Sequence, residues 1–238
     1  MIWWIIAALL AYFAKGLCGF ANTLIFTTVL SFTKNNINIS PVELIISYPS
    51  NIIMALRERK YIRPKICLPL AAIVVVSSIP GMLFLKNAGA GLIKVIFGFV
   101  IIFVGIEMLL REYLSKKGRQ SKAVLVLIGI VSGLLSGLYG IGALVGAYVG
   151  RLTDDPKEFR ANICTVFSIE STVRVIAYIL LDIITVDVFM QAIVVVPFML
   201  IGLLLGIRCS RYIGEKAVRY FVVVMLVLSG VMFIVNNI

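Results

Sequence analysis

The chain has 238 residues, of which 61% are apolar and only 14% charged, and its mean hydropathy is +1.10; water-soluble domains do not reach that balance, so a multi-pass membrane protein is expected. Its 22 Lys and Arg outnumber 11 Asp and Glu, an excess that in such a protein marks cytoplasmic loops and attracts anionic lipid, and no motif points to nucleic acid. Histidine is absent and Cys18, Cys67, Cys164 and Cys209 form no CxxC, which excludes a histidine-built zinc site and argues against a disulfide scaffold, so neither an enzyme nor a cofactor is expected.

A bilayer core about 30 Å thick is crossed by roughly 20 helical residues. In chain order the apolar runs are 2–33, 40–56, 65–85, 89–110, 123–150, 157–181, 187–207 and 217–235. The first opens "MIWWIIAALLAY" without the basic stretch of a cleaved signal, so it is expected to belong to a single membrane domain covering 1–238. At 32 residues it is too long for one crossing, and it carries "KGLCGFAN" at 15–22. The fifth, at 28 residues, carries "SGLYGIGA" at 136–143. The other six runs have ordinary lengths.

The two glycine clusters superimpose at an offset of 121, pairing Gly16 with Gly137, Gly19 with Gly140 and Ala21 with Gly142. "PVEL" at 41 matches "PKEF" at 156, and Gly81, Lys94 and Gly105 match Gly206, Arg219 and Gly230 at 125. An internal duplication is therefore expected, with repeat one at 1–115 and repeat two at 120–238. Each holds one long glycine-broken segment and three spans.

Charge decides how these segments cross. If each long segment crosses once, Arg151, Lys157, Arg160, Arg208, Arg211, Lys216 and Arg219 fall outside while Asp182 and Asp187 fall inside. If each long segment breaks at its glycines and returns, the four basic loops become cytoplasmic, collecting 17 of the 22 Lys and Arg. The second arrangement is expected. It makes an all-α membrane protein of two inverted-topology repeats, each a re-entrant segment plus three transmembrane helices, with both termini outside.

Irregular backbone at membrane depth is tolerated where protein or a water-filled cavity satisfies it. New helices are expected to start near Asn22 and Ala143, and their free amides and positive dipole ends would converge on an anion. Glycine at such sites also serves plain helix packing, which is the competing reading for each of them.

The glycine cluster after the first apolar half-segment, its repetition after a basic central loop, the "P-x-E" helix openings and "LIKVIFGFVIIFVGIEML" at 92–109 together resemble the TauE/SafE sulfite exporter family, also called the toluene sulfonate uptake permease family. The resemblance spans nearly the full chain. It implies a transporter of sulfite, organosulfonates or other small anions in the bacterial cytoplasmic membrane, without redox or organic cofactors.

Charge inside an apolar span is costly and therefore informative. Glu170 and Arg174 are spaced i, i+4, on one helix face of the 157–181 span. The expected substrate-binding set is Lys15, Gly16, Gly19, Asn22, Asn51, Ser136, Gly137, Gly140, Gly142 and Arg174, with Glu170 as the proton-coupling group. Glu43 and Glu158, in first turns, are expected merely to complement helix dipoles. The function expected is secondary transport, exporting a small sulfur-containing anion by alternating access, with protons as the coupling ion. The rival is a membrane thiol-disulfide electron relay through buried cysteines, although the repeat mate of Cys18 is Tyr139.

Overall fold

The computed structural model describes residues 1–31, 39–87, 122–139, 142–153 and 155–210, with isolated positions from 99 to 106 and from 212 to 235. Most of the expected spans 89–110 and 217–235 and nearly all of the basic loop 111–122 lie outside the described residues. The described elements are α1 (Ile2–Cys18), α2 (Asn22–Ser31), α3 (Ile39–Arg57), a 3-10 turn (Arg59–Tyr61), α4 (Pro64–Asn87), α5 (Lys122–Tyr139), α6 (Ala143–Leu152), α7 (Pro156–Leu180) and α8 (Val186–Cys209). No strand occurs among the described residues. Helices α3, α4, α7 and α8 are long and apolar enough to cross a membrane.

Both long apolar runs are broken where their glycines stand. Gly19 ends α1 in the left-handed region at φ 89, its amide donating to the Lys15 carbonyl at 2.6 Å. Ala21 follows at φ 71, a conformation costing a non-glycine residue about 1–2 kcal/mol. The strain is matched by a sharp reversal. Trp4 and Phe26 meet edge to face with ring centroids 5.7 Å apart, whereas an unbroken helix would separate these residues by about 33 Å. Helix α2 thus turns back along α1. In the second run α5 ends at Tyr139 and α6 starts after Gly142.

Local signals set the later helix starts. Asp155 caps α7, accepting from the Lys157 amide at 2.8 Å, with Pro156 at the first helical position. Thr185 does the same for α8 through the Val188 amide at 3.3 Å.

Glycines decide which helices touch. On α8, Gly202 packs on Leu9 and Phe13, and Gly206 on Phe13 and Gly16, so α1 and α8 run parallel. A Cβ at Gly16 would lie 2.5 Å from the Leu203 carbonyl oxygen and 2.6 Å from the Ile207 amide nitrogen. On α5, Gly129, Gly133 and Gly137, spaced one turn apart, pack on Ile73, Ser77 and Ser78 of α4, and Gly137 also meets Gly81. Those two helices are parallel as well. This is small-residue packing, in which backbone approaches backbone because no side chain intervenes.

By contrast, α3 and α7 are antiparallel neighbours. Ser40 lies beside Tyr178 (3.4 Å), Tyr48 beside Thr172 (3.1 Å) and Glu58 beside Arg160 (3.6 Å). The outer face exposes Val76, Ile79, Ile176, Leu180 and Leu204, while Lys15, Glu43, Glu170 and Arg174 are buried. That is the inverse of a water-soluble protein and suits a lipid surround.

Candidate functional site

Helix α3 carries Ser47 and Asn51 one turn apart, and α7 carries Phe167, Glu170, Ser171 and Arg174 at i, i+3, i+4 and i+7. Each set occupies one helix face. Those faces meet the two breaks around a cavity, to which the first break contributes Phe20 to Leu24 and the second Gly142. The opening turn of α2 stands at the cavity, and the positive end of its helix dipole makes that end an anion-friendly one.

Arg174 is the centre of the polar network. Its Nη1 donates to the Ser136 carbonyl of α5 at 2.7 Å. Its Nη2 lies 3.7 Å from Glu43 Oε2, and its Nε lies 3.8 Å from Glu170 Oε1. Both distances are ion-pair contacts too long for hydrogen bonds. The Nε and the Glu170 Oε1 are buried without a hydrogen-bond partner among the described residues. The Arg174 guanidinium also stands 5.9 Å from the Tyr178 ring centre.

Glu43 requires a correction to the sequence reading. It is 1% exposed and does not serve an exposed helix end. Its Oε1 accepts from Asn22 Nδ2 and from Thr23 Oγ1, both at 2.7 Å, tying the opening of α2 to α3 and, through Arg174, to α7. Its sequence mate Glu158 pairs instead with Arg63 at 2.8 Å, at the opposite end of α3 and α7. The two "P-x-E" motifs read alike, and no sequence signal separates them: only the neighbours differ.

The other expected site residues divide into two groups. Asn22, Asn51, Gly142, Glu170 and Arg174 line the cavity. Lys15, fully buried, donates to Asn51 Oδ1 at 2.5 Å, which leaves the Asn51 amide NH₂ as a free donor. Ser136 contributes its carbonyl to Arg174 rather than its hydroxyl to the cavity. Gly16 and Gly137 sit in the helix joints with Gly206 and Gly81, away from the cavity. Gly19 packs on the Arg160 side chain. Gly140 lies outside the described residues. Phe20, Thr23 and Phe167 join the cavity without having been singled out from the sequence, whereas Ser47, which also lines it, carried a signal in its i, i+4 spacing from Asn51.

The cysteines of the first break have a visible task. Ending α1 leaves carbonyls without helical partners; the single Cys18 S–H is shared between the Ala14 carbonyl at 3.0 Å and the Phe20 carbonyl at 3.1 Å, while Cys164 Sγ donates to the Gly19 carbonyl at 3.3 Å. Both cysteines are buried free thiols.

Chemically, the cavity offers a guanidinium, an amide donor and a helix start on one side, and a carboxylate with an unpaired oxygen beside them. That donor set can hold a small anion. No group of His, Cys, Asp and Glu able to hold a metal occurs among the described residues.

Over 127 residues, 52% of this chain and 49% of the relative, the sequence is 30% identical to the probable sulfite/organosulfonate exporter TauE of Cupriavidus necator. The chain spans about half the length of the curated relative it matches. No solved structure matches the chain. Residues 4–233 match the family described as sulfite exporter TauE/SafE, and a chain so matched over nearly its whole length belongs to that family of multi-pass membrane transporters.

Proposed function

We propose that the protein is a secondary transporter of the bacterial cytoplasmic membrane that exports a small sulfur-containing anion, such as sulfite or a sulfonate, by alternating access. The observation that carries this reading is the buried Arg174, which lines a cavity bounded by both helix breaks. The anion sits on Arg174 and on the Asn51 amide, beside the positive dipole end at the start of α2, with Lys15 holding Asn51 in position. Donors already aimed at the anion need not reorganise on binding. Glu170 is the group that couples the cycle to protons.

The transport cycle rests on two inverted repeats, 1–115 and 120–238, whose described helices include α1 to α4 and α5 to α8, with both termini outside. Packing supports this. Exchanging the repeats turns the parallel pair α1 and α8 into the parallel pair α5 and α4, and it turns α3 and α7 into each other. Two helices that exchange and are antiparallel imply a rotation axis lying in the membrane plane. If each long segment crossed the membrane once, α3 and α7 would run in the same direction.

The test is uptake or release of labelled sulfite, methanesulfonate and taurine by proteoliposomes, with and without a pH gradient. Flux of one of these above that of protein-free vesicles is expected. Absence of flux for every small anion overturns the reading.

A further inference from the structure

Among the described residues the polar cluster is electrically balanced before any substrate arrives. Lys15 and Arg174 face Glu43 and Glu170, and none of the four is more than 2% exposed. The other buried carboxylates, Glu58 and Glu158, pair with Arg160 and Arg63 at the opposite end of α3 and α7. An anion landing on Arg174 would give the cluster a net negative charge. Burying an uncompensated charge is costly, and the cost recurs whenever the loaded cavity is closed. Charge balance therefore requires that one carboxylate be discharged as each negative charge binds.

The two carboxylates are not equivalent. Glu43 Oε1 already accepts two hydrogen bonds, from Asn22 and Thr23, and Glu43 does not line the cavity. Glu170 lines it. Its Oε1 has no hydrogen-bond partner among the described residues, and its Oε2 has only the Ser171 hydroxyl at 3.5 Å. A proton arriving through the cavity thus meets a bare oxygen on Glu170. Once protonated, that oxygen becomes a donor to the anion on Arg174, where an ionised oxygen repels it. The titratable groups facing this cluster are Tyr12, Lys15 and Cys18 from α1, Glu43 from α3, and Cys164, Arg174 and Tyr178 from α7.

We infer that the protein carries one proton on Glu170 with each negative charge of its substrate, so that transport of a monoanion is electroneutral proton cotransport. The proton is taken from the side where the anion binds and is released with it on the other side. The cavity then changes access either empty, with Glu170 ionised, or loaded with both, and in each case it is neutral. This inference rests on the reading of the cavity as an anion site.

Methanesulfonate is a suitable probe, because it stays a monoanion across the accessible pH range and any proton counted belongs to the protein. Proteoliposomes of phosphatidylethanolamine and phosphatidylglycerol are given either a 100 mV potassium diffusion potential at equal pH, or a one-unit pH gradient with the potential clamped at zero. An uncoupled monoanion would reach a roughly 50-fold concentration ratio under the potential and none under the pH gradient. Electroneutral cotransport predicts the reverse: no accumulation under the potential, and about tenfold toward the alkaline side under the gradient. A pH-sensitive dye should count one proton per methanesulfonate. Glu170→Gln, checked for folding by size-exclusion chromatography, should lose accumulation under the gradient and slow net downhill flux, because its empty cavity carries an uncompensated positive charge, and Glu170→Asp should restore coupling. Potential-driven accumulation without proton movement in the unmodified protein overturns the inference and leaves the transporter reading standing. Accumulation under the gradient that survives in Glu170→Gln removes the proton from Glu170. Absence of methanesulfonate flux, with sulfite and taurine also inert, sinks the transporter reading and this inference together.

Discussion

Replacing Arg174 with Gln removes the one cation among the described residues that lies within ion-pair distance of both Glu43 and Glu170. Its nitrogens lie 3.7 Å from Glu43 and 3.8 Å from Glu170, a gross attraction of about 4 kcal/mol each at an effective dielectric constant of 20. Desolvation already offsets much of that attraction, so the useful figure is the cost of stranding the partners, about 3–5 kcal/mol when one member of a buried ion pair is removed. That is a large share of the 5–15 kcal/mol that holds a typical domain folded. Arg174→Gln should therefore unfold at a distinctly lower temperature in detergent and show no anion flux. The double variant Arg174→Gln, Glu170→Gln removes one charge of each sign, leaves Lys15 balanced by Glu43, and leaves amides able to hydrogen-bond with one another. It should recover most of the lost thermal stability while flux stays absent, because no guanidinium remains for the anion. Thermal unfolding and proteoliposome flux, measured on the same preparations, separate the two effects. A double variant that transports sulfite at the parental rate would show that Arg174 is structural only, and an Arg174→Gln protein as stable as the parent would show that Arg174, Glu43 and Glu170 do not form one network.

Three further outcomes are expected. Gly16→Val forces a side chain into the α1–α8 joint, where even a Cβ would lie 2.5 Å from the Leu203 carbonyl oxygen; it should cost about 1–3 kcal/mol of stability and leave the KM of the surviving folded protein unchanged, whereas a shifted KM at full stability would make Gly16 a ligand. Cys18→Ser with Cys164→Ser keeps a donor near each carbonyl of the first break and should preserve flux, while loss of function at both positions in a stable protein would favour the electron relay. In a background lacking native cysteines, a cysteine at Asp187 should react with an impermeant maleimide on intact cells and one at Thr153 should not; external labelling at Thr153 would overturn the inverted arrangement.

Much of the architecture was legible along the chain because its signals are local. Apolar runs of span length stand where the helices stand, since lipid selects residues one at a time. The two overlong runs break at the glycine clusters because a left-handed residue such as Gly19, at φ 89, ends a helix without help from distant parts. Arg174 and Glu170 were found for the same reason: four residues apart on a helix is a face, whatever surrounds it. Asn51 and Asn22 were found because polar side chains in apolar runs are rare.

What depended on the tertiary structure is which faces meet. Gly16 and Gly137 occupy the same place in the two sequence clusters as the break residues, yet the structure uses them as seats for Gly206 and Gly81, because the height at which two helices cross is set by the whole stripe of small residues along both. Glu43 and Glu158 open matching motifs, yet one reaches Arg174 and Asn22 in the interior while the other meets Arg63 near the surface. The thiols of Cys18 and Cys164, separate in sequence, converge on the carbonyls of one break. The amino-acid sequence by itself determined the solvent, the spans, the breaks and the helix face that bears the charge, because hydropathy and helical spacing act over a few residues. The charge-balanced cluster of Lys15, Glu43, Glu170 and Arg174 was decided only when α1, α3 and α7 packed together, because electrostatic partnership depends on distance in space and three helices must first agree on where they touch.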